Sequence, residues 1–240
     1  MLLGDFHIHT NFSDGRLSIP EVIDYYGMRG FDVISITDHL CDNQSLCGMA
    51  ANYLDKTLTQ KTWNLYLETL QAEAERAWFQ YRLLVLPGVE LTKNSLINSR
   101  SAHVLAINVE NYINPLQDPY DLAIDIHKQD GLCIAAHPVW TRKVEPQTYH
   151  LWDNRWELAS VIDAWEVASG PHMFDEVLTS GLPLIANSDF HHPHHMRSWK
   201  TLLDCKKNPA DILEAIRKQR IKFVFYENTQ ENEYQKQIYA

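Results

Sequence analysis

A chain of 240 residues, 45% apolar and 11% aromatic, can fill one large α/β core. Its 21 basic and 31 acidic residues give a net charge of −10, which excludes a broad nucleic-acid-binding face. A small anionic substrate held by metal ions stays open, because bound ions add positive charge that this sum omits.

Short apolar runs alternate with helical patterns, the signature of βα units on a parallel sheet. The first strand, 2–7, runs into Asp5-Phe6-His7-Ile8-His9-Thr10 and then Ser13-Asp14-Gly15. His7 and His9 are two apart on an extended segment, so their imidazoles point to one side and can reach one ion. A helix over 19–29 follows, with Ser18 as N-cap and Pro20 in the first turn. Strand 32–37 ends on Thr37-Asp38-His39, and the stretch 41–59 reads as an insertion of weak periodicity. Helix 62–79 carries Leu65, Leu67, Leu70, Ala74 and Ala77 near helical spacing. Strand 83–89 ends on Gly88-Val89-Glu90, and strand 102–108 opens with His103.

Further along, helix 119–129 stops at Asp130-Gly131, and strand 132–136 runs into His137-Pro138. An irregular stretch, 139–157, holds Trp140, Trp152 and Trp156. Strand 164–168, a helix over 173–180 and strand 184–187 lead to Ser188-Asp189-Phe190-His191. Helix 209–218, a closing strand 221–226 and a polar tail from Glu227 finish the chain. With no repeat, low-complexity tract or linker, one domain over residues 1–240 is expected.

In a parallel barrel the C-terminal ends of all strands share one face, where active sites form. Ligands distant in sequence then converge. His103 stands at a strand start, so either that boundary lies elsewhere or the strand runs against the others. Imidazole and carboxylate without thiolate suit Zn, Mn or Fe, and not a closed Cys-type zinc site. His7, His9, Asp14, His39, Glu90, His103, His137, Asp189 and His191 are too many for one tetrahedral ion. They fit two or three divalent ions, with a carboxylate such as Glu90 bridging two of them. Each alone has a plainer explanation: His39 could cap a strand, Glu90 could pair with a lysine, His137 could be a satisfied core histidine. Their joint recurrence at strand ends has none.

Taken together, His7-x-His9-Thr10-x-x-Ser13-Asp14-Gly15, Thr37-Asp38-His39, Gly88-Val89-Glu90, His103, Ala136-His137-Pro138 and Ser188-Asp189-Phe190-His191 resemble the motifs of the polymerase and histidinol phosphatase (PHP) superfamily. The motifs keep the family order from residue 5 to about residue 191. The resemblance implies an α/β fold, a distorted seven-stranded, TIM-like (β/α) barrel with a trinuclear metal site at the C-terminal ends of its strands. By motif, His7, His9, Glu90 and Asp189 would hold one ion. Glu90, His103 and His137 would hold a second, and Asp14, His39 and His191 a third. Some members carry a His where this chain has Asp14; the Ser-Asp-Gly form resembles the branch of small nucleotide and oligonucleotide phosphoesterases. The implied enzyme is a metal-dependent phosphoric ester hydrolase. A metal-bound hydroxide would attack the phosphate ester of a small metabolite, nucleotide or short oligonucleotide, so no Ser or Cys nucleophile is needed.

Histidinol-phosphate phosphatase is a narrower version of this reading. A metal-dependent amidohydrolase would ordinarily carry a Lys bridge where Glu90 stands, and a non-catalytic metal-binding module would not require the whole ligand set. A nuclease taking short ends stays open. Asp189 and His191 are candidates for catalysis as well as binding, and a metal-bound water, His191 or His194 could protonate the leaving group. Arg197 and Arg142 follow ligand-bearing loops and could grip phosphate with paired hydrogen bonds. Lys143 neighbours Arg142, Arg16 neighbours Asp14, and Trp140 could stack on a base or pack the rim. Asp38 either orients a ligand or braces structure. His192, His194 and His195 are expected at solvent or behind the ligands, and His127, His150 and His172 as structural. Cys41, Cys47, Cys133 and Cys205 form no CxxC and read as free thiols. Asp5 interrupts the apolar start and no run is long enough to span a bilayer, so a cytoplasmic protein without a membrane partner is expected.

Overall fold

Buried apolar runs form the strands, and amphipathic segments between them form the helices. The computed structural model describes residues 1–44, 46–54, 56–95, 100–139 and 149–227. In it β1 (Leu2–Asp5) leads to α1 (Ile19–Gly27), β2 (Val33–Ile36) and the short β3 (His39–Cys41). Helices α2 (Leu46–Tyr53) and α3 (Trp63–Tyr81) precede the long β4 (Leu84–Lys93) and β5 (Ala102–Ile107). Next come α4 (Pro119–His127), β6 (Leu132–Ala135), two short helices α5 (Tyr149–Asp153) and α6 (Arg155–Leu158), and β7 (Ala164–Ser169). β8 (His172–Met173), α7 (Asp175–Leu178), β9 (Leu184–Asn187), β10 (Ser198–Leu203), α8 (Pro209–Arg217) and β11 (Ile221–Tyr226) follow. None of the described helices is long and apolar enough to cross a membrane.

The strands pair in the order β11-β10-β1-β2-β4-β5-β6-β7-β8, with β3 joined to β4 and β9 to β7. Parallel pairs link β1 to β2, β2 to β4, β6 to β7 and β7 to β9. β5 is antiparallel to both β4 and β6. This settles the odd position of His103: a reversed strand delivers its N-terminal end where its neighbours deliver C-terminal ends. The sheet curls until the segment after β9 lies beside the segment after β1, through a parallel bridge between Ile8 and Phe190. His9 N donates to the Phe190 carbonyl at 2.8 Å, and Phe190 N to the His7 carbonyl at 3.0 Å. The result is a mixed α/β fold with a curled, half-barrel sheet, compatible with a TIM-like barrel. β3, β8 and β10 add to the strands foreseen, and the helix expected over 173–180 shortens to Asp175–Leu178.

Two apolar layers hold the sheet. On one side α1 buries Ile19, Val22, Ile23 and Tyr26, the i, i+3, i+4, i+7 stripe of an amphipathic helix. Its start is fixed by Pro20 and by Ser18 N donating to the Glu21 carboxylate at 2.8 Å. On the other side Val33, Leu86, Leu105, Ile107, Ile134, Ala164 and Ile185 pack with Ile212, Ala215 and Ile216 of α8. Side chains alternate along strands, so residues two or four positions from these emerge on the same face. Glu90, His103, Glu166 and Asn187 are such residues, all buried, and they cap the inner apolar layer. Gly88 stands between Leu86 and Glu90, where a Cβ would lie 2.6 Å from Ser35 Oγ and 3.0 Å from the Ala106 carbonyl. Among the cysteines, Cys41, Cys133 and Cys205 are free; the side chain of Cys47 and the tail after residue 227 lie outside the described residues.

β10 escaped the sequence reading because Ser198, Lys200 and Thr201 interrupt its apolar residues. The Lys200 side chain is completely buried, with Nζ 3.2 Å from Asp5 Oδ2 and 2.6 Å from Ser198 Oγ. Burial lowers the Lys200 pKa, and Asp5 opposes that shift. Asp5 also accepts from Ser188 N, Ser188 Oγ and Tyr26 OH, so β1, α1, β10 and the turn after β9 meet at one carboxylate. Removing one partner of a buried pair strands the other charge, at about 3–5 kcal/mol. Lys200→Met should lower unfolding free energy by about 3 kcal/mol in denaturant titrations. An unchanged midpoint would show that the pair contributes nothing net.

Candidate metal centre

Strand ends, the loops after them, the starts of β3 and β5, and Glu90 within β4, which runs on to Lys93 beyond the expected end at 89, gather the nine ligand candidates into one continuous cluster. Four sets have their donor atoms within 4.8 Å of one another: His9-Asp14-His39-His191, His7-His137-Asp189, His7-His9-Glu90 and Glu90-His103-His137. The sets share His7, His9, Glu90 and His137, which makes them one assembly.

Glu90 lies at its middle, fully buried. Its Oε1 is 2.7 Å from His103 Nδ1 and 3.6 Å from His137 Nε2. Its Oε2 is 3.3 Å from Nε2 of both His7 and His9, and 2.9 Å from His39 Nδ1. Asp189 Oδ1 faces the same two nitrogens of His7 and His9, each at 3.3 Å, and His191 Nδ1 at 3.4 Å. Asp14 Oδ1 stands 3.2 Å from His191 Nε2, 3.6 Å from His39 Nε2 and 4.0 Å from His9 Nδ1. His9 thus lies between the Glu90 set and the Asp14 set, whereas the motif partition gives it to one ion only.

The donor set fits divalent cations. Glu90 Oε1, His103 Nδ1 and both ring nitrogens of His9 are buried with no hydrogen-bond partner, although His103 Nδ1 and Glu90 Oε1 are only 2.7 Å apart. Buried polar atoms without partners are costly and rare. Lone pairs converging on common points from rigid strand ends are what a cation satisfies. Imidazole with carboxylate and no thiolate is the chemistry of Zn, Mn or Fe.

Local structure explains why the ligands stand there. The Asp14 loop folds back on the first strand: Gly15 N donates to the Thr10 carbonyl at 2.9 Å. A Cβ on Gly15 would lie 2.4 Å from the His9 carbonyl, so this turn requires glycine. Asp38 braces the same loop, accepting from Thr10 N at 2.7 Å, Thr10 Oγ1 at 2.6 Å and Ser13 Oγ at 2.5 Å. That is the bracing alternative for Asp38. Two of the candidates, His137 at φ 26° and Asp189 at φ 51°, hold backbone angles that non-glycine residues rarely adopt. Such strain clusters at functional sites.

Electrostatics agrees with the geometry. Burial raises the Glu90 pKa, yet His39, His103 and His7 together hold it well below the carboxylate range. Asp189 is likewise held well down against burial, by His7 and His191. His9 is lowered to about 3 by burial and by the neighbouring His191 and His39, so it stays a neutral donor. His191 moves the other way, to about 9: burial lowers it, but Asp189 and Asp14 outweigh that. His7 and His39 are also raised against burial, His7 chiefly by Glu166 and His39 by Glu90.

Around the cluster opens a cavity of about 530 Å³, lined also by Asn94, His172, His194, His195 and Arg197. Arg197 reaches this wall, but its exposed side chain pairs with Glu227 at 2.9 Å and touches none of the nine. Arg142, Lys143 and Trp140 lie outside the described residues. Arg16 sits on the Asp14 loop, its N donating to the His191 carbonyl at 2.9 Å, with its side chain at solvent. His195 stands behind a ligand candidate, its Nδ1 accepting from His191 N at 3.1 Å. His127 pairs with Asp163 at 2.9 Å and His150 lies against Asn154, as structural histidines; His172 instead faces the cavity.

Sequence reasoning missed the residues behind the imidazoles. His103 Nε2 meets Asn94 Oδ1 at 2.7 Å, His39 Nδ1 meets Thr92 Oγ1 at 2.7 Å, and His7 Nδ1 meets Glu166 Oε1 at 3.0 Å. Of these only Glu166 left a signal, as the sole charge in the buried run of β7.

The architecture is shared with a known structure. It superposes on a two-domain protein from Bacteroides vulgatus containing a predicted PHP-like metal-dependent phosphoesterase, with a TM-score of 0.68 and 23% identity. The two share one fold over most of this chain. The alignment covers 94% of this chain but only 65% of that one, so the chain spans less than two thirds of its neighbour's length. A candidate metal-dependent phosphoesterase from Bifidobacterium adolescentis (TM-score 0.47, 15% identity, 79% of this chain and 88% of that one) is more distant. So is an amidohydrolase from Chromobacterium violaceum with bound sulfate and no metal (TM-score 0.45, 16% identity, 78% and 87%). Both fall too low to bear on this chain. No protein-family model and no curated protein sequence matches it.

Ion uptake would compete with protons on His7, His39 and His191, whose pKa values are raised. Imidazole binds metal as the neutral form, so apparent Zn²⁺ affinity should climb as pH rises toward the His191 value of about 9, with protons released on binding. Chelator competition along that rise checks this; a flat affinity would mean that these histidines are not ligands.

Proposed function

We propose that the protein is a metal-dependent phosphoesterase that hydrolyses the phosphate ester of a small metabolite, nucleotide or short oligonucleotide at a trinuclear site. The observation that carries this reading is the buried Glu90, whose two oxygens face two different sets of imidazoles. A carboxylate so placed is suited to bridging two ions. His7, His9, Glu90 and Asp189 would hold one ion, Glu90, His103 and His137 a second, and Asp14, His39 and His191 a third. Divalent ions bound there would activate water near neutral pH and neutralise charge on the phosphoryl oxygens.

The protein's own residues do the rest. Asp189 and His191 line the cavity as members of the donor cluster, and His194, outside the ligand sets, could hold a proton for the leaving group. His194 and Arg197 on the wall would meet an anionic substrate, Arg197 on leaving Glu227, and Arg142 belongs to the same proposal from its place after His137. The net charge of −10 favours small substrates or short ends over long duplexes. Glu90 in the bridging position, where amidohydrolases of this barrel type ordinarily carry Lys, favours phosphate over amide bonds. The same reading takes β1, β2, β4, β5, β6, β7 and β9 as a distorted seven-stranded barrel, within one domain of a cytoplasmic enzyme.

Protein loaded with Zn²⁺ or Mn²⁺ should carry two to three ions per chain and hydrolyse p-nitrophenyl phosphate or its bis ester. Glu90→Ala and Asp189→Ala should each lower turnover by roughly a hundredfold or more while the circular dichroism spectrum is retained. At most one loosely held ion, or full activity in either variant, would defeat the proposal. Comparing histidinol phosphate, 3′,5′-bisphosphonucleotides and short oligonucleotides would then rank the substrates.

A further inference from the structure

Glu166 is a fully buried carboxylate in a strand whose other residues are apolar or small. It has three partners. Its Oε1 takes His7 Nδ1 at 3.0 Å and Asn187 Nδ2 at 2.8 Å; its Oε2 takes the backbone N of His137 at 2.7 Å. A bulge in the β7–β9 pairing falls between Glu166 and Ala168, next to this contact. Bulges beside active sites re-aim side chains.

We infer that Glu166 is a positioning residue that fixes two metal ligands at once; this rests on the metal-dependent reading above. Its first action is on His7. A carboxylate accepts hydrogen bonds only, so Nδ1 of His7 carries a proton and Nε2 is the nitrogen left to offer its lone pair to an ion. Nε2 is the atom that faces Glu90 and Asp189, each at 3.3 Å. Carboxylate–imidazole–metal arrays use this device to set the tautomer and raise ligand basicity. Its second action is on His137, whose φ of 26° is strained; the hydrogen bond to the His137 N–H holds that peptide in place. Asn187 completes the arrangement by donating to Glu166 through Nδ2 while its Oδ1 accepts from Phe6 N at 3.0 Å. His7 and the residue before it, His137 and the end of β9 are thereby tied to one side chain.

A neutral amide cannot do this. In Glu166→Gln one oxygen must serve three donors, and the amide NH₂ must face either His7 Nδ1 or its neighbours. If it faces Nδ1, His7 turns to the Nε2–H tautomer and loses its metal-facing lone pair. Two measurements on the whole chain test the inference with Zn²⁺ as the probe. Imidazole ¹⁵N NMR of Zn²⁺-loaded wild type should show His7 protonated on Nδ1 and metallated through Nε2. Zn²⁺ competition with a chelator should show about 10–100-fold weaker binding at one site in Glu166→Gln, in line with losses of carboxylates behind metal-bound histidines. Glu166→Asp should recover part of that loss. A wild-type His7 protonated on Nε2 would overturn the inference whether or not any variant folds. So would a folded Glu166→Gln whose Zn²⁺ affinity and stoichiometry match wild type. Failure of the wild type to take up Zn²⁺ would instead remove the metal-dependent reading, and this assignment with it.

Discussion

The arrangement depends on one buried carboxylate. Taking an unpaired carboxylate out of water costs several kcal/mol even after relaxation. Glu90 is completely buried, yet its pKa lies far below the usual range because His39, His103 and His7 surround it. The imidazoles in turn stand where they do because six strands of a curled sheet end around that point. Reversing β5 is what brings His103 to this ring, and the Ile8–Phe190 bridge is what brings the last ligands beside the first. Fold and site are therefore one problem: the apolar inner layer sets the height at which Glu90, His103, Glu166 and Asn187 emerge.

Much of this was legible in the sequence because it is periodic or local. His7-Ile8-His9 announces two side chains on one side of an extended segment. Glu90 and His137 follow apolar runs that could only be buried strands. The strands 184–187 and 221–226 coincide with β9 and β11, since Gly, Pro or charged residues bound them sharply. What stayed hidden depends on partners far away in the chain. Lys200 reads as a surface residue until Asp5 meets it, so β10 did not read as a strand. Glu166 reads as an anomaly in β7 until His7, 159 residues earlier, is placed against it. The orientation of β5 could not be chosen from its residues, because a fully buried strand reads alike in both directions.

The buried polar groups also divide by job. Lys200, Asp5, Tyr26 and Ser188 satisfy one another and tie β1 to the turn that carries Asp189. Asp38 does the same for the loop that carries Asp14. In contrast His9, His103 and Glu90 retain buried atoms with no partner, and they lie at the centre of the cluster. Among the described residues, the supporting groups around Asp5 and Asp38 satisfy one another, whereas His9, His103 and Glu90 keep donor atoms that a cation could complete.

The central claim is that Glu90 joins two metal sites. Diffraction from crystals grown with Zn²⁺, recorded at the zinc absorption edge, tests it most directly. The account predicts anomalous peaks on both sides of the Glu90 carboxylate, one bonded through Oε1 with His103 and His137, the other through Oε2 with His7 and His9. Peaks that leave Glu90 outside every coordination sphere, or a single peak with only one of its oxygens bound, would contradict it.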